Sequence, residues 1–227
     1  MRVLAAGSLR IVWEQLIAHF SEPIETHFGP AGILQERILA GEECDLFASA
    51  NLAHPQALLT AGRAQAVVPF ASNKLCLTVR SDVMHNGDDW RSLLNRTDLR
   101  LATSTAGCDP SGDYTQELFN RMGTEGNTAR QRALALVGGR NSAPIPTGKM
   151  AAQWVIESGQ AEMFIGYASY AKKRRHTEGL TVFAIPEPFN PHAQYALAIL
   201  TPKAQRLAEF LQSQKAKAIL LEAGFCV

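Results

Sequence analysis

The sequence of 227 residues lacks the features that define several other classes of protein. No apolar run approaches the ~18 residues that a membrane-spanning helix needs. Lys and Arg number 22 against 21 Asp and Glu, so the net charge of +1 gives no support for binding to nucleic acid or to a membrane surface. The sequence contains no GxSxG or HExxH motif and no internal repeat. What remains is an ordinary globular composition, 46% hydrophobic and 19% charged.

Cysteine is also scarce, and its spacing excludes the usual cysteine-based sites. The four cysteines form no CxxC pair and no cluster with histidine, so we expect free thiols and no bound metal; they are Cys44, Cys76, Cys108 and Cys226. Cys108 lies in a loop of small residues, where a thiol nucleophile or a soft-metal ligand is one alternative. Because no histidine partner is evident in the sequence, we expect a protein that is not an enzyme and carries no cofactor.

Met1 is followed at once by RVLAAGSL, which is typical of a strand and not of a secretory signal. We expect that either a leader has been removed or the protein is not exported. The basic run Lys172–Arg175, followed by His176, is expected to be a solvated loop and not a nucleic-acid site.

Alternating strand and helix patterns predict an α/β fold. Strands are predicted at Arg2–Leu9, Pro23–Phe28 and Asp45–Ser49, with an amphipathic helix after each of the first two, which is the β-α-β-α-β order of a doubly wound sheet. Further along the chain, a helix is predicted over Asn127–Val137 and a single carboxyl-terminal helix over about Pro202–Leu221.

The segment TGKMAAQWVIESGQAEMFIGYASYA predicts a helix followed by a buried strand. Thr147 is the expected N-cap, which places Lys149 in the first helical turn, and Ser158-Gly159 is expected to end the helix. Tyr167 lies at the carboxyl end of the strand, the end at which ligands bind in open α/β sheets. A lysine at a helix N-terminus is unfavourable by ~0.3–1 kcal/mol unless an anion is present. Lys149 is therefore either a solvated surface residue or an anion ligand.

Four predicted helix starts share one chemistry. Each places free backbone N–H groups, a hydroxyl or a cation at or near a helix start, and Tyr167 adds a phenol; the starts are at Ser8, at Ala31 and Gly32, at Ser111 and at Lys149. Each has an ordinary alternative, a capping residue or a solvated side chain. Together they favour a site for a small oxyanion.

Four segments carry a resemblance that covers essentially the whole chain: AAGSL, FGPAGILQERILAGEECDLFASAN, PSGDYTQELF and GYASYA. In order and spacing they resemble the periplasmic molybdate-binding proteins of ABC transporters, which are type II periplasmic binding proteins. The resemblance implies two α/β lobes, each a mixed sheet flanked by helices, with the ligand in the cleft between them. Lobe one would comprise residues 1–73 and 191–227, and lobe two residues 74–190, closing by a hinge motion.

The resemblance also implies the ligand contacts and shows where this chain departs from the pattern. Ser8 and Tyr167 match the expected hydroxyl donors, and Ala31, beside Gly32, has lost a hydroxyl. Ser111 stands where alanine is typical, and Lys149 stands where the pattern is apolar. These departures leave the identity of the anion open. Molybdate or tungstate is expected, and a phosphonate, a carboxylate or a metal chelate is the alternative.

The implied partners are the small anion and a membrane permease, with no nucleic acid, and the chain is expected to be a monomer. The implied location is the periplasm, with the cytoplasm also open. A cytoplasmic ligand-sensing effector domain is the second alternative, although we expect no DNA-binding helix-turn-helix before Arg2.

Overall fold

The computed structural model describes residues 1–171 and 177–227, so the basic run and His176 lie outside the described residues. Within this part of the chain the strands are β1 (Arg2–Ala6), β2 (Glu25–Gly29), β3 (Leu46–Ser49), β4 (Ala66–Asn73), β5 (Leu75–Arg80), β6 (Leu101–Ser104), β7 (Leu134–Val137), β8 (Met163–Tyr167), β9 (Leu180–Ala184) and β10 (Ala193–Ile199). The α-helices there are α1 (Arg10–Ile17), α2 (Ala31–Leu39), α3 (Ala53–Thr60), α4 (Trp90–Asn95), α5 (Pro110–Met122), α6 (Thr124–Arg132), α7 (Ala151–Glu157), α8 (Gln205–Leu211) and α9 (Gln214–Glu222).

The chain divides into two compact units. Unit 1 comprises Met1–Asn73 and Ala193–Val227, and unit 2 comprises Lys74–His192. In unit 1 the described strands form a five-stranded sheet in the order β2-β1-β3-β10-β4. Strands β1, β2 and β3 are parallel, and β10 runs antiparallel to both β3 and β4. The prediction of an α/β fold and the expectation of a mixed sheet are both confirmed.

Unit 2 has a sheet of the same kind. Its described strands have the order β7-β6-β8-β5-β9, with β6 parallel to β7 and β8, and β5 antiparallel to β8 and β9. Every residue of β8 is buried, as expected for a central strand that is covered on both faces. Both units are therefore sheets flanked by helices.

Helix α1 shows how the sequence directs packing in unit 1. Its apolar positions recur at helical spacing, and Val12, Trp13 and Leu16 are buried. The indole Nε1 of Trp13 donates to Thr26 Oγ1 at 2.8 Å, and its ring meets Phe28 edge-on, which fixes α1 against β2.

Three predicted elements differ from the structure. The helix predicted over Asn127–Val137 ends at Arg132, and Leu134–Val137 is strand β7, paired with β6. The single carboxyl-terminal helix is two helices, because the Ser213 hydroxyl accepts the Ala216 N–H and begins α9. Thr147 is not an N-cap: Lys149 N–H bonds Pro146 O at 3.1 Å across a turn with Gly148 at φ 81°, and α7 begins only at Ala151.

The four cysteines are free, as predicted. Burial raises the pKa of the Cys44 thiol to about 12. Across residues 1–171 and 177–227 we find no helix with the length and apolar character needed to cross a bilayer.

Candidate functional site

In unit 1, several of the predicted ligand residues lie at the carboxyl end of the parallel strands. Parallel pairing of β1 with β2 aligns Ala6 with Gly29, so the turns that follow these strands are neighbours. Ser8 lies in a 3-10 turn, Gly7–Leu9, directly after β1, and Ala31 begins α2 directly after β2 and Pro30. The register of the sheet therefore brings these turns to the carboxyl ends of β1 and β2, the end at which ligands bind in open α/β sheets.

Ser8 is 6% exposed, and its hydroxyl has a partner that the sequence did not indicate. Ser8 Oγ lies 2.7 Å from the hydroxyl of Tyr195, a fully buried residue of β10. Asn73, at the end of β4, donates from Nδ2 to the same phenolic oxygen at 3.5 Å. Ser8 is thus part of a polar chain and does not cap a helix.

The N-terminus of α2 is buried without a capping side chain. Ala31 is 1% exposed, Gly32 is buried, and the preceding residue, Pro30, makes no side-chain hydrogen bond within the described part of the chain. By contrast, in the first turn of α3 the His54 N–H donates to Asn51 Oδ1 at 3.0 Å. The first N–H groups of any helix need acceptors from outside the helix. The start of α2 is therefore suited to an external anion.

Arg10 places a cation at the same end of the strands, and the sequence analysis did not predict a cation there. Arg10 is the first residue of α1, which follows the Ser8 turn, and it is exposed. Its guanidinium carbon lies 5.0 Å from the centre of the Phe28 ring, a cation–π distance. This contact holds a positive charge beside the end of β2.

In unit 2 the predicted residues Ser111 and Tyr167 also lie toward the carboxyl end of the parallel strands. Strands β6 and β8 are parallel, with Leu101 opposite Met163, so their carboxyl ends point the same way. Tyr167 ends β8 and is 4% exposed. Ser111 is the second residue of α5 and is 4% exposed.

Unlike α2, helix α5 is capped by a carboxylate of its own. Asp109 Oδ1 accepts the Ser111 N–H at 3.2 Å, so the backbone donor expected for a ligand has an internal acceptor here. Burial raises the pKa of the Asp109 carboxyl to about 6, although hydrogen bonds from Ser111 and Ser104 act in the opposite direction. Gly138 makes room for this carboxylate, because a Cβ there would lie 2.6 Å from Asp109 Oδ2. The sequence signal for this cap is Asp directly before Pro110.

The elevated pKa of Asp109 predicts a pH-dependent stability. Its ordinary pKa is 3.8 and the folded value is about 6, so the folded state holds the proton more tightly. This group therefore lowers the free energy of unfolding as pH rises from about 4 to about 6. We expect Asp109→Asn, which keeps a capping oxygen, to be more stable than the wild type at pH 7 and to lose that advantage near pH 4. Urea unfolding across this range is the measurement, with the exposed Asp82→Asn as control. A stability difference that does not vary with pH would contradict the assignment.

Lys149 lies outside the first turn of α7 and has an acidic partner. Its ammonium donates to Glu157 Oε2 at 2.6 Å, and both side chains are exposed. Two hydrogen bonds lower the pKa of Glu157, and the one from Lys149 has a larger effect than the one from Gln153. The Lys149 side chain is therefore a surface group held in an ion pair with Glu157, which matches the solvated residue that the sequence analysis gave as one of two alternatives.

The structure thus places Ser8, Ala31 and Gly32 after the carboxyl ends of β1 and β2 in unit 1. In unit 2, Tyr167 is the last residue of β8, and Ser111 lies in the helix that follows β6. Cys108 is half-buried in the loop before α5 and forms no disulfide. Among the described residues, no group of three or more His, Cys, Asp or Glu side chains is arranged to hold a metal ion.

Mixed five-stranded sheets flanked by helices, with donors at the carboxyl ends of parallel strands, form the fold of the two-lobed periplasmic binding proteins. The chain belongs to the family of bacterial extracellular solute-binding proteins, whose family model matches residues 1–226. It is 44% identical over 220 residues to an uncharacterized protein of Pasteurella multocida (strain Pm70), covering 93% of this chain and 91% of that protein.

Two solved structures share the fold. The periplasmic molybdate-binding protein of Azotobacter vinelandii superposes with a TM-score of 0.81 at 20% identity, covering 100% of this chain and 99% of that one. PEB3 of Campylobacter jejuni, solved with bound L-phospholactate, superposes with a TM-score of 0.75 at 14% identity, with 100% and 99% coverage. At these identities the likeness shows the fold alone.

Proposed function

We propose that this protein is the solute-binding component of an ABC transporter and that its solute is a small oxyanion. The observation that carries the proposal is the start of α2, which is buried and uncapped and follows the strand paired with the one that precedes Ser8. Helix starts of this kind bind anions through backbone N–H groups and the helix dipole. Membership of the solute-binding family supports the transport role, a permease partner and a periplasmic location.

The proposed ligand residues of unit 1 are Ser8, Ala31 and Gly32, and those of unit 2 are Ser111, Lys149 and Tyr167. In unit 2 the Ser111 N–H would have to be shared with Asp109. The Ser111 hydroxyl is the donor that replaces the one lost at Ala31. Lys149 enters the proposal through its charge, which Glu157 partly compensates.

Molybdate or tungstate is the first ligand proposed, because the proposed donors of unit 1 are neutral groups that select an anion by its geometry. A phosphate, phosphonate or carboxylate ligand is the alternative. Arg10 favours it because a guanidinium pairs well with such groups. Of the two solved structures, one is of a molybdate-binding protein and the other has L-phospholactate bound, so together they represent these two ligand classes.

The test is a thermal-shift screen of the purified chain against molybdate, tungstate, sulfate, phosphate, a phosphonate and small carboxylates, followed by calorimetry. A ligand that binds only the folded state at ~100 times its Kd adds ~2.7 kcal/mol of stability. A shift with molybdate and tungstate alone would support the first ligand. A shift with phosphate, a phosphonate or a carboxylate would support the alternative. No shift with any of them would overturn the oxyanion proposal.

Arg10 and Lys149 are expected to contribute salt-dependent terms of the same sign and different size to anion binding. Arg10→Gln should weaken anion binding several-fold at low salt and less at high salt, because an exposed charge is screened. Lys149→Ala should have the same sign with a smaller effect, since Glu157 already compensates its charge. Glu157→Gln should strengthen binding at low salt. Calorimetry at two salt concentrations measures all three variants, and losses that are identical at both concentrations would exclude a charge contribution.

A further inference from the structure

The Ser8 hydroxyl is the end of a buried hydrogen-bonded chain that lies wholly within unit 1. Asn73 Nδ2 donates to the phenolic oxygen of Tyr195 at 3.5 Å, and that oxygen lies 2.7 Å from Ser8 Oγ. Asn73 is 1% exposed and Tyr195 is fully buried. Tyr195 reaches Ser8 from β10, 187 residues away along the chain.

The groups bonded to Ser8 decide where its own proton is available. A hydroxyl has one proton to donate and can accept hydrogen bonds at the same time. The Tyr195 oxygen accepts from Asn73 and lies 2.7 Å from Ser8 Oγ, a contact in which either hydroxyl can be the donor. We propose that Tyr195 donates its proton to Ser8 Oγ, so that Tyr195 is a positioning residue that leaves the Ser8 proton for the bound anion. This inference rests on the proposed function and adds a residue to it.

Packing keeps the Tyr195 ring in place. Phe70 and Phe225 both meet it edge-on, with ring centres 6.3 Å and 5.5 Å away. Such a ring cannot turn without displacing its neighbours in a close-packed core. The geometry around Ser8 is therefore set before the ligand arrives, which reduces the entropy cost of binding.

The consequence is that Tyr195 acts on the anion only through Ser8, and a double-mutant cycle tests this. We expect Tyr195→Phe to weaken molybdate binding about 2- to 10-fold, the effect of one neutral hydrogen bond. We expect Ser8→Ala to weaken it more, and the double variant to bind like Ser8→Ala alone. A merely structural effect of Tyr195 would instead add to that of Ser8.

Thr201→Val is the matched control. It removes another hydroxyl of unit 1, which donates to Asp45 Oδ1 at 2.6 Å. Asp45 directly precedes β3, so this hydroxyl lies at the amino end of the strand, opposite to the end of the sheet that holds Ser8. We expect it to leave molybdate affinity unchanged. The same cycle by urea unfolding without ligand should show that Ser8→Ala and Tyr195→Phe together cost less than their sum.

The outcomes separate the inference from the proposed function. If the wild type binds molybdate and the two losses in affinity add, the positioning role is overturned while the anion site stands. If only another anion of the screen binds, the cycle is run with that anion and read in the same way. If the wild type binds none of the anions, the proposed function fails and the inference fails with it.

Discussion

The Ser8→Ala variant is expected to bind its anion about 10- to 100-fold more weakly than the wild type. A hydrogen bond to a charged group contributes ~1.5–3 kcal/mol, and Ser8 is the buried hydroxyl beside the uncapped start of α2. Tyr167→Phe should reduce affinity by a similar factor, because it removes the phenolic hydroxyl at the end of β8 in unit 2. Calorimetry with the anion that gives the largest thermal shift is the measurement.

Two controls separate a lost contact from a damaged fold. Thr60→Val removes an exposed hydroxyl in unit 1 that donates to the carbonyl of Gln56 in its own helix, and Ser158→Ala removes a comparable hydroxyl after α7 in unit 2. Neither should change affinity. If Ser8→Ala and Tyr167→Phe both bind as the wild type does, the assignment of the site is wrong.

The Gly126→Ala variant is expected to lose about 3 kcal/mol or more of the free energy of unfolding. Gly126 is a buried residue of α6, and a Cβ there would lie 2.0 Å from the backbone oxygen of Phe119 in α5. A backbone atom cannot rotate aside as a side chain can, so the two helices would have to separate and expose the core around Phe119.

Urea unfolding followed by circular dichroism measures this loss. Thr128→Ala, an exposed position of the same helix, introduces the same side chain without a clash and should change stability by only a few tenths of a kcal/mol. An unfolding midpoint for Gly126→Ala close to that of the wild type would show that α5 and α6 can pack further apart than they do in this structure.

The parts of the fold that sequence predicted well are those governed by local pattern. Strand β3 is a short apolar run, and α2 ends before Gly41, whose φ of 103° breaks the helix. Strand β7 was mistaken for helix because Ala133, at φ −66° and ψ 131°, turns the chain without Gly or Pro. Only pairing with β6 makes Leu134–Val137 a strand, and pairing is not a local property.

The candidate site shows the same division. The location of Ser8 after a strand followed from the sequence, whereas its link to Tyr195 did not, because β10 is placed beside β3 by the topology of the whole sheet. Lys149 was predicted in a helical turn because Thr147 is a good N-cap residue. The turn closed by Gly148 took precedence over that local preference.

The position of β10 between β3 and β4 has a consequence for how the protein is made. On the ribosome, β4 emerges long before β10, the strand that it pairs with, and the whole of Lys74–His192 is synthesised in between. Unit 2 is contiguous and can complete its sheet first. Unit 1 must keep β4 without its partner β10 until residues 193–199 are released, and an unpaired strand of this kind favours misfolding and recognition by chaperones.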